Sequence, residues 1–264
     1  MNTLCAVYKK NRIMYKKNMP VSHFISRIIG TTTRMITVYF LSVYMFGSHT
    51  SKEFIVFSRT TNYVDYAAFG LILSNFSIGL LMNVSRSLIS ELREGTLYNL
   101  LITPFSVVGY FMGVFVEQFM RLLVESLIII GISILFGVSY HDIDIFKIIF
   151  VIIIMVFHIG SLTILIANIM LYLRDTFISQ NTFFLIFNIL CGFTFPIGFL
   201  PNIIHYISLI IPITYAVDMS RSMINNSQML LNQYIGIFLS ICFYIIGILF
   251  FKKVKFKIAE YINE

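Results

Sequence analysis

IIFVIIIMVFHIGSLTILIANIMLYL, residues Ile148–Leu173, carries no charged side chain from end to end. A helix needs roughly 20 mostly apolar residues to cross the ~30 Å hydrocarbon layer of a bilayer, and this run is long enough. Strands of a membrane β-barrel would be about ten residues long and would alternate apolar with polar side chains. Here the apolar residues are continuous, so the segment reads as a spanning helix. Comparable runs flank it: Met35–Ser51, Tyr66–Ser85 and Pro104–Val138 before it, Thr176–Leu200 and Tyr234–Phe251 after it. Together they predict an all-α polytopic membrane protein with six transmembrane helices.

Composition agrees. The chain has 264 residues, of which 58% are hydrophobic and 12% charged, with a mean hydropathy of +0.87. Soluble domains carry about 25% charged residues. The net charge of +7 is best read as asymmetric placement around a membrane, not as nucleic-acid binding. With the N-terminus in the cytoplasm, the inner segments hold thirteen Lys and Arg, Lys9 to Arg27 at one end and Lys252 to Lys257 at the other, with Arg86, Arg93 and Arg174 between. The outer segments hold four: Lys52, Arg59, Lys147 and Arg221. This positive-inside bias puts both termini in the cytoplasm. Arg34 is expected to snorkel to the inner head groups at the start of the first span.

Three regions follow: 1–34, basic and either an interfacial helix or a basic tail; 35–251, the six-helix domain; and 252–264, a basic cytoplasmic tail. In the first, Tyr8, Ile13, Met14, Phe24 and Ile28 lie among the basic residues. The first apolar run starts too late for a cleaved signal peptide. Cys5, Cys191 and Cys242 show neither metal-ligand spacing nor a disulfide pattern.

No Gly-Lys dipeptide occurs, so a phosphate loop of the G-x-x-x-x-G-K-[ST] type is excluded, and H-E-x-x-H and G-x-S-x-G are missing too. His158, deep in a span, reads as a hydrogen-bonding residue between helices, as do Asn75, Asn83, Asn168, Asn181 and Asn188. A convergent His/Asp/Glu set that would make a membrane enzyme is lacking.

The stretch SRSLISELREGTLYNLLITPFS, residues 85–106, is the most informative. Leu88, Ile89 and Leu92 share a helical face beside Glu91, Arg93 and Glu94. Gly95 is suited to a left-handed helix cap. Thr103 then caps the next helix, with Pro104 at its first position. The pattern predicts a short cytoplasmic helix with an apolar base and a charged tip, or an ordinary amphipathic interhelical loop.

The segment Glu91–Pro104, ELREGTLYNLLITP, resembles the E-x-x-x-G-T-L-x-x-L-L-x-T-P signature of ABC-2 type permeases, the membrane subunits of ATP-binding-cassette exporters. Tyr98 stands where many members carry Glu. PIGFLP from Pro196 to Pro201, then PITYAVD from Pro212 to Asp218 with Arg221, resembles the outer segment after the fifth helix of that family. The resemblance implies that Glu91, Arg93, Glu94, Gly95 and Thr96 form a coupling element for a separate ATPase. It implies that Pro196, Pro201, Pro212, Tyr215, Asp218 and Arg221 belong to short extracellular re-entrant helices. Two such subunits, identical or sister permeases, would form the path in a prokaryotic cell membrane, with ATP and Mg held by the partner ATPase and no cofactor in this chain.

Export of a drug-like, peptide or other amphiphilic substrate is the first reading. Leu173-Arg174-Asp175 resembles the polysaccharide-exporting branch and keeps a glycan exporter as an alternative. A non-transporting immunity or sensor protein is a reading of another class. Glu117, Arg121 and Glu125 fall on one face of the third helix at four-residue spacing, as a path or gate lining or as an ion-pair ladder that fixes packing. Gly109 and Gly113 make a G-x-x-x-G, which permits close helix contact.

Overall fold

The computed structural model describes residues 3–18, 21–45, 52–58, 60, 62–96, 107–138, 140, 144–173, 177–224 and 227–262. Among them there is no strand. The helices are α1 (Thr3–Asn18), α2 (Val21–Phe40, continued by a π-turn at Leu41–Met45), α3 (Lys52–Ser58), α4 (Tyr63–Arg93), α5 (Val107–Leu135), α6 (Ile145–Leu173), α7 (Phe177–Leu190), α8 (Asn202–Ser208), α9 (Pro212–Ile224) and α10 (Gln233–Ile262). Among the described residues, four stretches are long and apolar enough to cross a membrane: Phe54–Glu91, which takes in most of α3 and α4, and Gly109–Leu135, Ile145–Leu173 and Gln233–Phe251. A fifth arises if α8 and α9, bent by 88° at their junction, count as one broken span.

The core sits where α4, α5 and α6 meet. α6 buries Val151, Met155, Ile159, Leu162, Ile166 and Met170, spaced three or four residues apart, in one cluster with Leu80, Leu81 and Val84 of α4 and Val114 and Leu122 of α5. Polar side chains tie these helices together. Ser85 Oγ donates to the Thr163 carbonyl (3.1 Å), Asn168 Nδ2 to the Gly247 carbonyl (2.7 Å) and Tyr244 Oη to the Phe157 carbonyl (3.0 Å). Asn168 is thus the interhelical partner expected of it. His158 differs: its Nδ1 bonds the Ile154 carbonyl of its own helix (2.9 Å), one turn back. In the span that contains α4, 67% of the most apolar window is buried within the chain, against 17% in α10. α4 is therefore the central pillar, and α10 turns Phe238, Ile241, Ile245 and Leu249 outward.

Two helices differ in their bounds from the expected runs. α2 starts at Val21, and its Met35 packs fully buried against Val64, Ala68 and Val138, at the end of the bundle where α4 begins and α5 stops. The stretch alongside α4 is thus earlier than Met35–Ser51, and Arg34 lies within it. Hydropathy starts the run only at Met35 because Arg27, Arg34 and a run of threonines interrupt the helix before it, and residues 46–51 of the expected span lie outside the described residues. The hydroxyls are satisfied locally, Thr33 on the Ile29 carbonyl and Thr37 on the Thr33 carbonyl (both 2.9 Å). The uncharged run Thr176–Leu200 breaks at Leu190, because Gly192 takes φ +72° and turns the chain. α7 alone has 14 residues, about 21 Å, shorter than the hydrocarbon layer.

Candidate functional site

α4 carries a buried charged node at each end. Its last turn closes on Gly95, whose φ of +70° is the left-handed cap expected there. The Thr96 amide donates to the Glu91 carbonyl (3.0 Å) and the Glu94 amide to the Ser90 carbonyl (2.9 Å). The helix is unbroken from Tyr63 to Arg93, so the tip is the end of the central pillar and not a separate short helix.

Glu91 is 5% exposed and does not belong to the charged tip. It receives Lys10 Nζ of α1 at 2.5 Å, the Thr96 hydroxyl, and Tyr110 Oη of α5 at 3.4 Å. Tyr110 Oη also donates to the Ser87 carbonyl (3.3 Å). One carboxylate therefore fastens α1, α4, α5 and the Gly95 turn. Arg93, Glu94 and Gly95 face outward beside it. Thr103 and Pro104 lie outside the described residues, as do Arg174 and Asp175.

α1 runs along α5. At Gly113 an added Cβ would stand 2.9 Å from the Leu4 carbonyl oxygen and 3.0 Å from Val7 Cβ, so this glycine lets the helices touch. This is the close contact that G-x-x-x-G permits, made with α1. Further along α5, Glu117 and Glu125 are buried. Arg121 Nε lies 3.8 Å from Glu125 Oε1, and Gln118 Nε2 donates to Glu117 Oε2 at 2.6 Å. The three ladder residues share a face, as their spacing requires.

At the other end of α4, Arg221 of α9 is 9% exposed and is held by main-chain carbonyls. Nη1 donates to Tyr66 (3.0 Å), and Nη2 donates to Gly192 (3.2 Å) and Phe193 (2.9 Å). The guanidinium also lies 3.5 Å over the Tyr66 ring, and Tyr66 Oη donates to the Gly192 carbonyl. Gly70, on α4, faces this knot. A Cβ there would fall on the Phe193 carbonyl oxygen and 2.8 Å from Arg221 Nη2. Asp218 Oδ2 accepts from the Leu230 and Leu231 amides (both 2.9 Å) and fixes the entry into α10. Pro196 precedes a 3₁₀ turn, Pro201 precedes α8, and Pro212 opens α9, the helix position proline suits best. Tyr215 Oη donates to the Leu209 carbonyl (2.9 Å) and ties α9 back to the bend after α8.

A profile of the ABC-2 type transporter matches residues 4–225. The chain belongs to the ABC-2 type transporter family. The match runs from α1 to the end of α9, and so contains both nodes of α4, the one at Glu91 and the Arg221 knot. An ABC-2 chain is a multi-pass membrane permease component of an ABC transporter; it is a transport subunit and normally works with an ABC ATPase subunit. No curated protein matches the chain. Lys10 and Tyr110 are the residues that sequence reading of this ABC-2 chain missed. Lys10 lies in the basic N-terminal run, and nothing local to it marks a partner 81 positions away.

Proposed function

We propose that this chain is the permease half of an ATP-driven exporter of an amphiphilic, drug-like or peptide substrate. Arg93, Glu94 and Gly95 would dock on a separate ATPase that holds ATP and Mg. The observation that carries the reading is the exposed charged tip at the end of the most buried span. α4 has 31 residues, so it is about 46 Å long at 1.5 Å per residue. It is a single rigid element from the tip to Tyr66, where Arg221 grips its carbonyl. A displacement at the tip is delivered to the α8–α9 end without an intervening hinge. Glu91 keeps the tip in register with α1 and α5, and Thr96 closes the turn.

In this reading both termini and the Gly95 end are cytoplasmic, as the Lys and Arg bias directs. α2, and α7 together with the turn that follows it up to Leu200, would complete six crossings in a prokaryotic cell membrane. The α8–α9 bend closes the outer side, and a second permease subunit completes the path. The α5 ladder packs the bundle, since Arg121 has a carboxylate of its own helix within ion-pair distance.

The test is Glu94→Arg, with ATPase pull-down and export measured on matched amounts of inserted protein. Charge reversal at an exposed tip spares insertion and should lower both signals severalfold. Wild-type values for both would remove the coupling role.

A further inference from the structure

α1 uses its basic residues on two sides. Lys10 turns inward to the Glu91 carboxylate, close to the charged tip of α4. Cys5, Tyr8, Lys9 and Arg12 share another face, since residues three and four apart are neighbours on a helix. With Leu4 and with Val116 of α5 they line an open cavity of about 450 Å³ between the two helices, a size common among ligand sites. Leu4 and Arg12 are about 12 Å apart along α1, so one end of the cavity is apolar and the other cationic. Lys9 and Arg12 are both exposed, and no acidic side chain is among the described residues that line the space. The first acidic residue of the chain is Glu53, so α1 brings no counter-charge of its own. Leu4 and Val7 pack at Gly113, about 6 Å inside the apolar stretch of α5 that begins at Gly109. That is the boundary where hydrocarbon gives way to head groups. The apolar end of the cavity is on the hydrocarbon side of it, and Lys9 and Arg12 lie towards the Glu91 end.

We propose that this cavity holds one anionic phospholipid of the inner leaflet, its phosphate between Lys9 and Arg12 and an acyl chain on Leu4 and Val116. The cationic end supplies charge-assisted bonds to the phosphate, and the apolar end favours a lipid over a soluble anion. A lipid seated there also holds α1 beside the end of α4, because Lys10 on the other side grips Glu91. The site goes beyond the permease reading and needs neither substrate nor ATPase, so it can fail while that reading stands. The chain contains no tryptophan, so Val116→Trp gives a single reporter at the cavity wall. The full chain carrying it is placed in phosphatidylcholine nanodiscs with rising fractions of dibrominated phosphatidylglycerol, or of dibrominated phosphatidylcholine, whose chains quench the reporter on contact.

Phosphatidylglycerol should quench at low mole fraction and saturate, with a preference of about tenfold over phosphatidylcholine. Lys9→Gln with Arg12→Gln should abolish that preference, and Lys9→Arg with Arg12→Lys should keep it, which separates lost charge from lost folding. Lys255→Gln with Lys257→Gln removes the same charge from the C-terminal tail and should leave the preference unchanged. In the chain without the reporter, the exposed Cys5 should react more slowly with a neutral maleimide in phosphatidylglycerol discs than in phosphatidylcholine discs. Equal quenching by the two lipids, or equal Cys5 rates, would overturn the proposal. So would a preference that survives Lys9→Gln with Arg12→Gln; loss of ATPase binding in that variant would then give the face to a protein partner. Loss of the preference in the tail variant would reduce the effect to diffuse attraction, and displacement by inorganic phosphate would assign the site to a free anion; either result contradicts a lipid site.

Discussion

The two ends of α4 hold buried charge in opposite ways. Arg221 is gripped by main-chain carbonyls of three residues and an aromatic face. Among the described residues, the Glu91 carboxylate is held by side chains, those of Lys10, Thr96 and Tyr110. Carbonyls are carried by the fold itself, so the Arg221 knot cannot loosen unless the Cys191–Pro196 turn or the start of α4 moves. Side chains can let go one at a time, and Lys10 is 39% exposed. The first arrangement suits a fixed anchor, the second a joint beside a surface that receives force.

The largest effect should come from breaking the anchor. Arg221→Met fills similar volume but leaves three carbonyls without their charged donor, two of which, those of Gly192 and Phe193, lie outside any helix. Hydrogen bonds to charged groups contribute about 1.5–3 kcal/mol each, so a loss of roughly 3–6 kcal/mol is expected, read as a large fall in the thermal midpoint in detergent and in inserted yield. Gly70→Ala comes next. Its methyl group would meet backbone at Phe193 instead of a flexible side chain, and overpacking of this kind costs about 1–3 kcal/mol.

At the joint the effects are smaller, and their order sharpens the contrast. Glu91→Ala strips three partners of a buried acceptor and should cost about 1–3 kcal/mol. Lys10→Ala removes a half-exposed ion pair and should cost about 0–1 kcal/mol. Equal losses for the two, in thermal unfolding of the purified chain, would mean that Glu91 acts through Lys10 alone and that α5 and the Gly95 turn do not depend on it.

Helix content and the spacing-based features were legible because they are local. The cap at Gly95 and the shared face of Glu117, Arg121 and Glu125 each follow from a few neighbouring residues. Two boundaries were not legible. Arg34 broke the apolar run of α2, and the end of α7 hid inside an uncharged stretch where only Gly192 signals a turn. Glu91 looked like a tip residue because its partners, Lys10 and Tyr110, come from α1 and α5. The carbonyls that hold Arg221 come from α4 and the turn after α7, and no pattern within α9 points to them.

If the ends of α4 are anchor and joint, their variants must fail in different currencies. Arg221→Met should reduce the number of inserted copies, while Glu94→Arg should reduce ATPase binding and export per inserted copy, with insertion unchanged. The decisive measurement is export rate divided by inserted protein, for wild type and Glu94→Arg, in membranes that also contain the ATPase. A severalfold drop in that ratio is predicted. An unchanged ratio would show that the exposed end of α4 does not receive the motor's force.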